Sequence, residues 1–234
     1  MKSSSDLHEA FILHSRNYRD NSLILDLLTR EAGRYSVVAR GARSGRSRVR
    51  GRLQPFTPLL IASVGRGELK TSTAIDFPGN PFRLEGDRLM LGLYVNELLY
   101  RLLGRFDPVT GLFDEYRLLL TSLQEHSSGI ADVRMFELCL LQELGYGISF
   151  EYDARDGEPV EEEACYRYVV QEGFHRVSEA GDDAFYGGEL LALASGRLEE
   201  VNGQKLKKLT RKSLGVLLGD KPLKSRSLFR GGAR

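Results

Sequence analysis

The residues best suited to binding chemistry in this chain are six arginines between positions 40 and 52, with no acidic residue among them. The guanidinium group is a planar fork of donors that matches the oxygens of a phosphate group. Glycine and serine separate the arginines, so the segment has little apolar surface to bury, and we expect a mobile, solvent-exposed loop. The pattern predicts a contact with nucleic acid, and the alternative is a solvated basic loop without a partner. The six are Arg40, Arg43, Arg46, Arg48, Arg50 and Arg52.

The charge of the whole chain is divided into three blocks. Residues 1–80 contain 13 Lys and Arg against 7 Asp and Glu, whereas residues 81–200 contain 10 against 24. Residues 201–234 contain 10 basic residues and 1 acidic residue, although the formal net charge of the chain is only +1. Blocks of this kind say more about partners than about fold. A basic head and tail favour a polyanionic partner, with solubility alone as the alternative explanation.

Short apolar runs broken by turn residues predict five strands before residue 77. One long basic loop among five strands is typical of a small barrel of the oligonucleotide-binding (OB) type. Such barrels combine a basic groove with aromatic side chains that stack on bases. Tyr18, Tyr35 and Phe56 are candidates for that stacking, with packing in the core or in a turn as the alternative. The predicted strands cover residues 8–14, 22–29, 34–39, 53–64 and 68–75.

Two prolines and a glycine at residues 77–81 predict a domain boundary, after which the apolar period changes to that of helices. We therefore predict an α+β protein, with a five-stranded OB-type β-barrel over residues 1–79 and a mainly α-helical domain over residues 80–234. The second domain is expected to contain a small β-hairpin insertion and a basic C-terminal helix and tail. The predicted elements are helices at 88–103, from 107, at 130–144 and at 189–194, and a hairpin at 165–177.

The last predicted helix, residues 204–218, is amphipathic, with leucines on one side and basic residues on the other. It is expected either to present its charges to DNA or to cap the domain with lysines that face water. Its basic residues join the predicted DNA-binding set, together with Arg34 and Lys70 from the third and fifth strands. They are Lys205, Lys207, Lys208, Arg211 and Lys212.

Motifs for catalysis are absent from the sequence. There is no phosphate-binding loop, no nucleophile elbow and no zinc-protease helix, and the four histidines are scattered. The acidic stretch 151–163 is interpreted as a solvated loop, so no catalytic residue, metal or cofactor is expected. No signal peptide or long apolar run is present, and a cytoplasmic location is expected. The sequence favours a binding protein over an enzyme, with an RNA-binding OB-fold protein and a metal-dependent nuclease as alternatives.

Several segments, in order along the chain, carry a family likeness. They include Leu53-Gln54-Pro55-Phe56-Thr57-Pro58, Gly65-Arg66-Gly67-Glu68, Glu143-Leu144-Gly145-Tyr146-Gly147 and Lys221-Pro222-Leu223-Lys224-Ser225-Arg226. On these segments the chain resembles the RecO family of recombination mediators. Many members carry a four-cysteine zinc site after the third helix, but here that stretch retains only Cys165. The resemblance is therefore to a zinc-free branch, in which packing is expected to hold the loop.

The resemblance implies a function in DNA repair and recombination. Such proteins bind single- and double-stranded DNA, anneal strands coated by single-stranded DNA-binding protein, and with RecR help RecA to load. It also implies association with the nucleoid. The coat protein's C-terminal tail is acidic and apolar, and such a ligand needs a hydrophobic pocket beside a cation. By resemblance, Arg134 is the candidate for the tail's carboxylate, and a helix-surface ion pair with Glu137 is the alternative.

Overall fold

The computed structural model describes residues 7–45, 47–49, 51–125, 129–179, 181–225 and 227. It divides into two compact units. Unit 1 comprises residues 1–127 and 222–234, and unit 2 comprises residues 128–221. The domain ranges predicted from the sequence, 1–79 and 80–234, follow the end of the barrel instead of the division between these units.

Unit 1 is built on a closed five-stranded barrel, as predicted. The strands are β1 (His8–Tyr18), β2 (Ser22–Thr29), β3 (Gly33–Ala39), β4 (Pro58–Val64) and β5 (Leu69–Asp76). Their order around the barrel is β1-β2-β3-β5-β4. β3 and β5 pair in parallel, and the other pairs, including the closing pair β1–β4, are antiparallel. Alternate residues point inward, so Leu25, Leu27, Tyr35 and Val37 form the interior.

Two strand ends differ from the sequence prediction. β1 continues to Tyr18 because its polar residues pair with β2, as in the register Tyr18–Ser22. β4 begins at Pro58 and not at Leu53, because Phe56 has a left-handed φ of 65° that interrupts extended backbone.

Two helices in unit 1, α1 (Gly86–Leu102) and α2 (Thr110–Glu125), cover the outside of β1. Phe11 lies against Phe113 and Tyr116, with ring centroids 5.4 and 5.2 Å apart. The buried Asn96 amide donates to the carbonyl oxygens of Ile12 and Leu13, and the Tyr116 hydroxyl donates to Asn96 Oδ1 at 2.5 Å. The helices are therefore fixed to the barrel by polar bonds inside an apolar contact.

The start of β3 touches the α1–α2 connection so closely that only glycine fits. Gly33 has φ +65°, and a Cβ atom there would lie 1.8 Å from the carbonyl oxygen of Asp107. The next residue, Arg34, accepts a hydrogen bond at its carbonyl oxygen from the amide of Phe106. This contact fixes the backbone of residues 105–107 at one end of the barrel.

Unit 2 contains three longer helices and a small sheet. The helices are α3 (Ile130–Glu143), α4 (Gly187–Ala194) and α5 (Gly203–Leu218), and a 3₁₀ turn covers Leu198–Glu200. The sheet has the order β7-β6-β8, with β6 (Cys165–Val169), β7 (Gly173–Val177) and β8 (Ala184–Tyr186). The hairpin and the helices agree with the sequence prediction. Strand β8 was missed because its three residues are too few to show the alternation of apolar and polar side chains that indicates a strand. Among the helices described, none is long and apolar enough to cross a membrane.

The C-terminal segment is anchored to α1 by one carboxylate. Glu97 accepts hydrogen bonds from the amides of Lys224 and Ser225, both at 2.8 Å, and from the Ser225 hydroxyl at 2.7 Å. Burial acts to raise the pKa of Glu97, but the bonds from Ser225 and Lys224 outweigh it and hold the pKa below its usual value. Leu223 is buried beside these bonds. The ionised carboxylate therefore stabilises the bound segment.

This anchor predicts a pH-dependent contact. Because the folded-state pKa of Glu97 is lowered, the stabilisation is fully present above the unfolded-state pKa of about 4.5 and is lost as pH falls through the folded-state value. At pH 7, Glu97→Gln should speed amide exchange at Lys224 and Ser225 by about tenfold, since a charge-assisted bond contributes about 1.5 kcal/mol. The difference from the wild type should shrink at pH 3. Equal exchange in both proteins at pH 7 would contradict this role.

Candidate nucleic-acid interface

The arginine-rich segment between β3 and β4 is folded onto the end of the barrel. Ala42 and Leu53 are buried in the barrel core, and Val49 packs against it. Backbone bonds form successive turns, including Ser47 N to Ser44 O at 3.1 Å. The described residues of the loop therefore pack on the barrel through three apolar side chains among the arginines, whereas the sequence predicted a loop that projects into solvent.

Four arginines of this loop point into solvent: Arg40, Arg43, Arg48 and Arg52 are all exposed. Arg43 donates at 3.3 Å to the carbonyl oxygen of Asp20, and the Arg52 guanidinium lies 3.8 Å from the centre of the Phe77 ring. Within the described part of the loop, no carboxylate forms an ion pair with any of the four. Arg46 and Arg50, also predicted to bind DNA, lie outside the described residues. The four described side chains form a surface of uncompensated positive charge, which we call the arginine surface.

Arg30 shows what an arginine with a structural role looks like in the same unit. Its guanidinium donates to both carboxylate oxygens of Asp114, at 2.6 and 2.7 Å, and to Glu9 at 2.6 Å. The bonds to Asp114 and Glu9 raise the pKa of Arg30 above its usual range. The four described arginines of the loop lack such partners, so their charge is available to a polyanion.

Two further arginines, Arg16 and Arg19, lie at this end of the barrel, and the sequence prediction missed both. The amide of Arg43 donates to the carbonyl oxygen of Asn21, which places the loop against the β1–β2 turn. Arg19 in that turn has a left-handed φ of 49°, and its guanidinium lies 5.1 Å from the centre of the Tyr18 ring. Arg16 is exposed on β1. The turn looked merely polar in sequence, and only the backbone bond to the loop reveals that its cations adjoin the arginine surface.

Arg34 lies toward the other end of the barrel, whereas the backbone of Lys70 pairs with Val37, three residues before Arg40. Arg34 donates to the carbonyl oxygen of Leu103 and lies 5.5 Å from the centre of the Tyr100 ring. Burial lowers the pKa of Arg34 from its usual value. Lys70 lies beside the rings of Tyr35 and Phe106. The structure therefore separates Arg34 from the arginine surface and places the Lys70 ammonium beside two aromatic rings.

Among the three aromatic candidates for stacking, two are buried. Tyr35 is 1% and Phe56 is 5% exposed, so both belong to the packed interior. Tyr18 is half-exposed under Arg19 and keeps the potential to stack.

The basic residues of α5 in unit 2 have unequal surroundings. Lys205 is paired with Glu189 at 2.8 Å, so its charge is compensated. Lys212 donates to the carbonyl oxygen of Tyr168 at 3.2 Å and is exposed. Lys208 and Arg211 are exposed, and Lys207 is half-buried. The helix therefore presents a basic face, but Lys205 serves the fold of unit 2.

Arg134 is buried in unit 2. It is 6% exposed and donates to the carboxylate of Glu137 and, at 3.2 Å, to the hydroxyl of Thr210 on α5. Its Nε atom has no hydrogen-bond partner. The ion pair with Glu137 named as the alternative is present, but it lies inside the unit and not on a helix surface.

A cleft of about 520 Å³ opens on the surface of unit 2. Tyr146, Tyr152 and Val216 line it and are each about half exposed. Tyr168 also lines the cleft, and Lys212 is bonded to its carbonyl oxygen. Asp153 and Glu172 add negative groups to the lining. The cleft thus combines exposed apolar surface and two carboxylates with a neighbouring cation.

Comparisons with known proteins agree with this architecture. The model of the family described as "Recombination protein O N terminal" matches residues 3–77, and that described as "Recombination protein O C terminal" matches residues 83–227. A DNA repair protein RecO from Vibrio vulnificus is 41% identical over 230 residues, covering 98% of this chain and 95% of the relative. The chain belongs to the RecO family. RecO proteins from Klebsiella pneumoniae and Haemophilus influenzae are 44% and 42% identical, with more than nine-tenths of each chain covered. Membership of the family supports a role in DNA repair and recombination.

In this RecO chain a single carboxylate organises the acidic stretch 151–163. Asp153 is buried and accepts from the amides of Arg155 and Arg176, both at 2.7 Å. The amide of Gly157 donates to the Asp153 carbonyl oxygen, and Val160 is buried in the core of unit 2. No group of three or more His, Cys, Asp or Glu side chains in the described parts of the chain is arranged to hold a metal ion. Hydrogen bonds to Asp153, together with packing, hold the loop.

The burial of Arg134 predicts a structural cost that must be separated from any effect on partner binding. Arg134→Ala should lower the free energy of unfolding by about 3–5 kcal/mol, because the buried Glu137 carboxylate loses its guanidinium. The double variant Arg134→Met, Glu137→Leu should recover most of that loss. Urea unfolding of the full chain measures both. An Arg134→Ala protein as stable as the wild type would show that the pair contributes little to folding.

Proposed function

We propose that this RecO family member binds single- and double-stranded DNA through the arginine surface and anneals complementary strands. The observation that carries the proposal is the exposed set of guanidinium groups, anchored by apolar residues and without carboxylate partners in the described loop. Phosphate contacts of this kind position a nucleic acid without reading its sequence. That property suits a protein that must act on any pair of strands.

Annealing brings two polyanions together, and their mutual repulsion opposes it. Exposed arginines neutralise phosphates and release condensed counterions, so the repulsion falls where the strands meet. Arg16 and Arg19 extend the positive surface to the β1–β2 turn, next to the half-exposed Tyr18 ring. The basic face of α5 provides a further contact with DNA in the same proposal, through Lys207, Lys208, Arg211 and Lys212.

By family membership, the substrate is DNA coated by single-stranded DNA-binding protein, and RecR joins the protein to help RecA load. No catalysis by this chain is part of the proposal.

The cleft on unit 2 suits the acidic, apolar tail of the coat protein, because Tyr146, Tyr152 and Val216 offer apolar surface beside Lys212. Thr210, which bonds Arg134, lies one helical turn before Ser213 in the lining. Because Arg134 is buried, the proposal assigns the tail's carboxylates to Lys212 instead.

Removal of three exposed charges tests the arginine surface. The triple variant Arg40→Ala, Arg43→Ala, Arg48→Ala should bind single-stranded DNA at least about tenfold more weakly at low salt. The slope of log affinity against log salt should flatten by about 2, since each lost phosphate contact contributes about 0.7 for a single strand. Fluorescence anisotropy over a salt series measures both quantities.

A charge-matched control is Arg83→Ala, Arg88→Ala, Arg155→Ala, which removes three arginines from other places. It should bind nearly as the wild type does. Unchanged affinity and slope in the loop variant would remove the arginine surface from the mechanism. Tighter binding of RNA than of DNA of equal length would favour the RNA-binding alternative, and strand cleavage that depends on magnesium would favour a nuclease.

The cleft is tested with a fluorescent peptide that carries the acidic, apolar C-terminal residues of the coat protein. Lys212→Ala should weaken peptide binding about tenfold, and Val216→Asp should abolish it by placing a negative charge in the apolar lining. Arg83→Ala is the charge-matched control. Peptide binding that survives Val216→Asp would place the tail elsewhere, whatever the effect of Arg134→Ala.

A further inference from the structure

Phe106 holds an aromatic ring at the surface on a strained backbone. Its φ is 56°, in the left-handed region that bulky residues seldom adopt, and its side chain is 38% exposed. The strain is maintained by neighbours: the Phe106 amide donates to the carbonyl oxygen of Arg34 at 2.9 Å, and Arg34 and Arg105 form a β-bridge. Strained residues of this kind concentrate at functional sites.

The Phe106 ring covers the end of the barrel interior. It stacks on Tyr35, with ring centroids 5.5 Å apart and planes inclined by only 12°. Tyr35 is 1% exposed, so it forms a rigid base for Phe106. The stack therefore presents an aromatic surface, supported from within, to solvent.

A cation without a carboxylate partner accompanies this stack. Lys70 Nζ lies 4.9 Å from the centre of the Phe106 ring and 5.3 Å from that of Tyr35. In the described part of unit 1, the nearby acid Glu68 is paired with Arg105, and no ion pair engages Lys70. An exposed ring next to a free ammonium group matches a nucleotide, whose base stacks and whose phosphate binds the cation.

We propose that Phe106 and Lys70 form a nucleotide-binding site specific for single strands, in which an unpaired base stacks on Phe106 and its phosphate contacts Lys70. This proposal rests on the proposed DNA binding. The bases of a duplex are stacked on each other and offer no free face, so the site distinguishes single from double strands, which phosphate contacts alone cannot do.

Phe106 lies at the opposite end of β3 from the arginine surface, and the backbone of Lys70 pairs with Val37 between them. Phe106 is bonded to Arg34 at the start of β3, and the arginine-rich loop leaves from Arg40 at its end. Six residues of extended strand separate them by about 20 Å. A strand bound at both places therefore spans the barrel, and it loses the Phe106 contact when it pairs.

Phe106→Asn and Lys70→Gln test the proposal, with asparagine chosen because it tolerates a left-handed φ. The Phe106→Asn protein should bind single-stranded DNA about tenfold more weakly, and duplex affinity should stay within about twofold. With the wild type, aminopurine placed in a single strand should change its fluorescence on stacking, and Phe106→Asn should remove that change. Phe106→Tyr should restore it.

Leu118→Ala, at a position that is 62% exposed on α2, is the control for loss of an exposed apolar side chain. The proposal is overturned by unchanged single-strand affinity and aminopurine signal in Phe106→Asn, or by equal losses on single and double strands. Loss of binding to another protein with DNA binding intact would likewise overturn it and assign the ring to a protein partner. If the proposed DNA binding itself fails, the wild type binds neither form of DNA.

Discussion

Mutual repulsion among closely spaced guanidinium groups is the constraint that the arginine-rich loop must overcome. Burial of Ala42 and Leu53 in the barrel core, with Val49 packed against it, opposes that repulsion. Apolar burial contributes about 25 cal/mol per Å² removed from water, which for such side chains amounts to several kcal/mol. Because the anchors face inward, the arginines face outward and carry no carboxylate partners in the described loop. A DNA phosphate is the partner that we propose for these charges.

Unit 1 contains arginines with carboxylate partners and described arginines without them. We interpret the first kind as structural and propose the second kind for binding. Arg30 is saturated by Asp114 and Glu9, and it fixes α2 to the barrel. The described cations of the β1–β2 turn and the loop form no ion pair with a carboxylate, and we propose that a polyanion takes that place. The contact proposed for the exposed Phe106 ring is of a different kind, since stacking requires an unpaired base whereas phosphate binding does not.

Single carboxylates organise two segments of this chain that have little regular structure of their own. Asp153 gathers the amides of Arg155 and Arg176 in unit 2, and Glu97 gathers those of Lys224 and Ser225 in unit 1. A carboxylate that accepts several amide hydrogen bonds fixes a loop by satisfying backbone donors that regular structure would otherwise pair. In the stretch 151–163, the bonds to Asp153 and the buried Val160 account for how the loop is held.

The sequence by itself determined the barrel, the helices of both units and the arginine cluster, because apolar periodicity and local charge density are written in neighbouring residues. It could not give the parallel pairing of β3 with β5 or the short strand β8, since these depend on partners distant in the chain. Only the tertiary structure decided which cations stand together. The backbone bond between Arg43 and Asn21 brings the turn that contains Arg19 to the loop. Lys70 lies beside the Phe106 ring, and Arg134 is buried in an ion pair with Glu137. Charge is readable from sequence, but whether a charge is compensated depends on which side chains folding brings within a few ångströms of it.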